Sequence, residues 1–104
     1  MVYNLVQIYR ADKVLSEKWV ETYSKFNEGS VYEVYSSDAG RFSDEGFVGR
    51  FTVLDSDITG RWIWVVNTKD EAKSEVDIYM LLTTKDIIVK LYNKDGVLIE
   101  TFIN

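Results

Sequence analysis

From Ser30 onward, apolar side chains recur at alternate positions in short segments, and each segment is closed by a cluster of turn-forming residues. A period of two places alternate side chains on opposite faces of a pleated strand, so the pattern requires a sheet. The segments are Ser30–Ser36, Phe47–Leu54, Arg61–Asn67, Val76–Thr84, Ile87–Asn93 and Val97–Ile103. A polar loop over Ser37–Gly46, a turn over Asp55–Gly60 and a charged loop over Thr68–Ser74 separate the first four. Lys85-Asp86 and Asn93-Lys94-Asp95-Gly96 close the last two, the second being a hairpin signal because Asp-Gly tolerates positive φ. Connections this short join antiparallel neighbours, so the order of strands predicts a meander.

Ahead of the sheet, Leu15, Trp19, Tyr23 and Phe26 fall at helical spacing on one stripe. Asp12 suits the N-cap, Lys13–Glu17 and Glu21–Lys25 are opposite charges one turn apart, and Gly29 suits the left-handed position after the last turn. In residues 2–10 a period of three fits a helix marginally better than a strand, and a first strand or an early helical turn both stay open. The chain of 104 residues has the length of one domain, 1–104. The expected fold is α+β. One main amphipathic helix over about 12–28 precedes a five- to six-stranded antiparallel meander, curled into a twisted sheet or half-barrel.

The last three segments are apolar on both faces: Val76, Ile78, Met80 and Leu82 oppose Tyr79 and Leu81, and similar pairs of rows follow in 87–92 and 97–103. An antiparallel sheet covered on one side should instead read apolar-in and polar-out. A second apolar face must close a barrel, meet the N-terminal segment, or meet another chain.

Missing residue types restrict the chemistry. There is no histidine, cysteine or proline. This excludes imidazole acid–base relays, thiol nucleophiles, disulfides, cysteine–histidine zinc sites and haem ligation by histidine or cysteine. What remains uses carboxylates, lysines, hydroxyls or an oxygen-bound hard cation. The expectation is therefore a protein with no catalysis, no cofactor and no dedicated metal site. A formal net charge of −5, with the basic residues scattered, argues against direct nucleic-acid binding. The opening MVYNLVQIYR lacks the basic start of a secretion signal, and the apolar runs fall far short of the roughly 18 residues that span a bilayer. A cytoplasmic location without membrane association is expected.

Phe51–Gly60 (FTVLDSDITG) resembles the first motif of haloacid-dehalogenase-type phosphatases, an apolar strand followed by Asp-x-Asp-x-Thr. The resemblance implies a nucleophile at Asp55 and an acid/base at Asp57, with Met80–Thr84 imitating the second motif. It also implies a doubly wound α/β core and a later acidic motif for Mg²⁺, whereas the chain beyond Gly60 reads as antiparallel strands. The same six residues, Asp55–Gly60, open like a calcium-binding loop, but the twelfth position is Val66 rather than a glutamate. Glu71-Ala72-Lys73 matches half of a nuclease carboxylate–lysine signature within a run that reads as loop.

The candidate binding residues are aromatic or basic: Arg41 and Phe42 in the long loop, Trp62 and Trp64 on one strand face, and Tyr79. For the tryptophans the first expectation is core packing against Trp19 and Phe26, and the second is a stacking or hot-spot pair. The functional expectation is stoichiometric binding of another protein, with self-association into a homo-oligomer also expected. Size, acidity and residue usage suit a phage- or plasmid-encoded inhibitor of a host protein. A second reading is a small-molecule binder whose curled sheet forms a lipocalin-like or cone-shaped cavity lined by Trp62, Trp64 and Tyr79.

Overall fold

A computed structural model describes residues 16–36 and 46–103. Helix α1 (Glu17–Ser24) leads into strands β1 (Val31–Ser36), β2 (Phe47–Ser56), β3 (Trp62–Asn67) and β4 (Lys73–Asp77). Helix α2 (Ile78–Thr83) then precedes β5 (Ile87–Tyr92) and β6 (Leu98–Ile103). The strands form one antiparallel sheet in the order β4-β3-β2-β1-β5-β6. The mixture of sheet and helix agrees with the expected α+β character. The sheet is open, with β4 and β6 at its two edges, so among the described residues it does not close into a barrel.

The expected meander holds for β1 to β4 and for the β5–β6 hairpin, and breaks between β4 and β5. The segment 76–84, expected as a strand paired with 87–93, is mostly helix. Its apolar run is compatible with either state on pattern alone. Asp77 decides between them: its carboxylate accepts from the backbone N–H groups of Tyr79 and Met80 and so caps α2. Ile78 and Leu82, one turn apart, then bury together, while Met80 projects outward. The helix carries the chain off the β4 edge, and β5 lands beside β1 on the far side. The apparent second apolar face of 76–84 is thus an artefact of reading a helix as a strand.

Helix α1 lies within the expected span 12–28 but is shorter, and the Asp12 cap and the Lys13–Glu17 pair fall outside the described residues. Lys25 forms an ion pair with Glu100 on β6, which ties the helix end to the sheet. Gly29 sits five residues past the last helical residue, with φ +88°, in the turn that opens β1. There its N–H bonds to the Val53 carbonyl. In the β5–β6 hairpin only Gly96 takes a positive φ, and Asn93 Oδ1 holds the turn by accepting from the N–H groups of Asp95 and Val97.

Both helices pack on one face of the sheet. Tyr23 and Phe26 from the α1 end, with Ile78 and Leu82 from α2, meet Tyr32, Val34, Val53, Ile63, Val65, Val89 and Leu91 from the strands. Phe26 stacks against Phe102 and meets Tyr32 edge-on, while Tyr32 stacks on Phe51. Gly49 is buried beneath the Phe51 ring, which occupies the space a Cβ would need. Among the described residues, no helix is long and apolar enough to cross a membrane.

Two substitutions test which β-region residues carry the core. Ile63 is fully buried, whereas Ile58, at the tip of the β2–β3 turn, is fully exposed. Ile63→Ala should lower unfolding stability by about 2–5 kcal/mol in urea titrations, and Ile58→Ala by less than about 0.5 kcal/mol.

Candidate functional site

The face opposite the helices is covered by no described element. Strand alternation puts Glu33 and Tyr35 of β1, Arg50 and Thr52 of β2, Trp62, Trp64 and Val66 of β3, and Lys90 and Tyr92 of β5 on it. Trp62 and Trp64 are 38% and 50% exposed, while Ile63 and Val65 between and beside them are 0% exposed. The expected core packing of the two indoles is therefore overturned. Trp19 packs instead against Tyr23 and Tyr79, and Phe26 against Tyr32 and Phe102. Both rows of β3 are apolar, and the aliphatic row, being smaller and β-branched, fits under the helices.

Glu33 sits at the centre of this face and is almost fully buried. Tyr35 and Tyr92 donate their hydroxyls to its Oε1 at 3.1 and 2.8 Å. Arg50 donates Nε and Nη2 to its Oε2 at 3.0 and 2.6 Å. Burial pushes the Glu33 carboxyl up, but these four donors together outweigh it and hold the group below its ordinary value. A carboxylate offers about four lone-pair sites, and here all of them are engaged within the sheet. The cluster therefore fixes neighbouring strands and their side chains rather than offering an acid or a metal ligand. Lys90 completes it, with its ammonium 5.0 Å from the centre of the Tyr35 ring.

A second polar node stands at the start of β3. Arg61 donates Nε to Asp77 Oδ1 at 2.8 Å and Nη2 to Oδ2 at 2.6 Å. Burial pushes Asp77 up, and Arg61 with the two capping N–H groups brings it below its ordinary value. The guanidinium carbon lies 5.7 Å from the ring centres of both Trp62 and Tyr79. Nearby, burial pushes the Tyr23 phenol up to about 12, against an opposing effect of Arg61.

The sequence-predicted residues are thus separated. Trp62 and Trp64 are neighbours on the open face. Tyr79, on α2, packs against the helix-side core and reaches Trp62 through Arg61. The three do not line a common cavity. Arg41 and Phe42 lie outside the described residues. The Glu33 cluster was not foreseen, because its four donors come from three strands and become neighbours only through the sheet register. A glutamate within the apolar Ser30–Ser36 strand was the only signal.

The Asp-x-Asp-x-Thr segment lies on an antiparallel hairpin, not on the parallel core that the phosphatase resemblance implies. Asp57 Oδ1 accepts from the backbone N–H and hydroxyl of Thr59, and so shapes its own turn. Among the described residues, no three acidic side chains converge as a metal site. Lys73 begins β4, and Glu71 sits in the preceding turn with φ 61°. No family model matches the chain, and neither the curated proteins nor the solved structures contain a match.

The two nodes make acid stability predictable. Glu33 and Asp77 are both held below their ordinary carboxyl values, so each contributes stability that is present above the unfolded-state value. That contribution is lost as pH falls through the lower folded-state value. Urea midpoints measured from neutral pH to about pH 3 should fall in the acid range, and Glu33→Gln with Asp77→Asn should flatten that fall while lowering the midpoint at neutral pH.

Proposed function

We propose that the protein works by stoichiometric binding of another protein through the open face of its sheet, with no chemical step of its own. The observation that carries this reading is the exposure of Trp62 and Trp64 beside a fully buried aliphatic row of the same strand. Exposing two indoles forgoes a large burial gain, and tryptophan, tyrosine and arginine are the residues that dominate binding hot spots. The same face adds Tyr35, Tyr92 and Arg50, held in place by Glu33, and a half-exposed Phe47 packed edge-on against Tyr35. A rigid aromatic surface binds with little loss of side-chain entropy. Its shape is set by hydrogen bonds already made before a partner arrives.

The acidic balance suits a partner with a basic surface, and a small cytoplasmic inhibitor from a phage or plasmid is the biological role that fits this reading. A second copy of the chain is the competing occupant of the same face. The small-molecule reading loses its proposed lining, since Tyr79 faces the helix side.

A photoreactive phenylalanine analogue placed at Trp62 should crosslink one discrete partner in cells of the natural source. The same analogue at Asp95, in the exposed β5–β6 turn, should not. Competition by untagged wild-type protein should remove the product. A product containing only this chain would instead assign the face to self-association, and no product above the Asp95 control would overturn the binding role of the face.

A further inference from the structure

Two aromatic rings on the open face already hold a cation supplied by the protein: Lys90 lies over Tyr35 and Arg61 over Trp62. Trp64, the most exposed of the three tryptophans, has no cation over it among the described residues. The register instead sets Asp55 of β2 and Glu75 of β4 directly opposite it on its two sides. Directly opposed residues of antiparallel strands share a face, with Cβ atoms about 5 Å apart. A carboxylate therefore flanks the indole on each side.

These two carboxylates differ from the others on the sheet. Glu33 and Asp77 are each engaged by an arginine and by further donors. Among the described residues Asp55 accepts only from the N–H of Ser56, and neither it nor Glu75 forms an ion pair. Both are exposed. An aromatic face with carboxylates on either side is the complement of a cation, which the ring quadrupole and both charges attract together.

We infer that Trp64, between Asp55 and Glu75, receives a lysine or arginine side chain from a basic segment of the partner protein. The inference rests on the reading of this face as a protein-binding surface and names the chemistry of what binds there. A small ammonium ligand would need walls on several sides, whereas the described residues cover a cation here from one side. The cation must belong to a larger body held by the rest of the face. Arginine is the better fit, because its planar guanidinium can stack on the indole and still donate to both carboxylates.

The probe is a hexa-arginine peptide, with the indole N–H signals of the three tryptophans followed by nuclear magnetic resonance. The Trp64 signal, assigned by its loss in Trp64→Leu, should shift most. Asp55→Asn combined with Glu75→Gln should weaken peptide binding about tenfold, and Trp64→Leu, which keeps both carboxylates, severalfold. Equal binding by all three proteins would reduce the effect to diffuse attraction by the net negative charge and overturn the inference. So would a Trp64 signal that stays still in the wild-type protein, a readout that needs no variant to fold. If the partner crosslinks at Trp62 while the peptide leaves Trp64 unmoved, the cation site falls and the binding face stands. If the crosslink also fails, both fall.

Discussion

The carboxylate of Asp77 determines the course of the chain. It ends β4, caps α2, and holds Arg61, the residue just before β3, through a two-pronged ion pair. The cap and the burial of Ile78 and Leu82 against the core together take the run Ile78–Leu82 out of the sheet. With the cap, the chain crosses to the other side and β5 pairs with β1. Strand β1 thereby becomes an interior strand, and Glu33 acquires Tyr92 as a partner. Arg61, fixed by the same carboxylate, supplies the cation that lies over Trp62.

Around this arrangement the two faces of the sheet do different work. The helix-side face buries aliphatic and aromatic side chains in the ordinary way and contains the main apolar core. The opposite face is organised by hydrogen bonds to one buried carboxylate, flanked by exposed aromatic rings. Replacing a whole buried ion pair with apolar residues often costs a fold little, whereas removing one partner alone is costly. The carboxylate's value here, in the proposed reading, is that it holds tyrosine and arginine side chains in fixed positions on a surface that a partner contacts. The bulges at Val48, Leu54 and Ile99, where one strand carries an extra residue against its neighbour, add local twist to that surface.

Several elements were legible in the residues themselves. The alternation in Ser30–Ser36, Phe47–Leu54 and Arg61–Asn67 marked strands close to their observed bounds. The spacing of Trp19, Tyr23 and Phe26 marked the inward side of the first helix, and Asn93–Gly96 marked a tight turn. These signals are local: each depends on a repeat of two or about four positions, or on the backbone freedom of one glycine. The segment 76–84 is ambiguous in sequence because an apolar run of that length satisfies both repeats, and the deciding contact is a side chain accepting from its own next turn. Large aromatic residues usually gain most from burial, which favours an inward place for the two tryptophans, and nothing local distinguishes one apolar row of β3 from the other.

By itself, then, the sequence determined that this protein is a mixed fold built on an antiparallel sheet, with chemistry restricted to oxygen and amine groups. Only the tertiary structure decided which face of β3 the helices cover, that β5 pairs with β1, and that Glu33, Arg50, Tyr35 and Tyr92 meet. It alone set Trp64 between Asp55 and Glu75. The physical reason is the same in each case. Local pattern fixes where a side chain points relative to its own strand, whereas pairing and register fix which other strand's side chains it meets. The crossover from β4 to β5 decides the β1–β5 pairing, and the hairpins joining β1 to β4 decide the other neighbours.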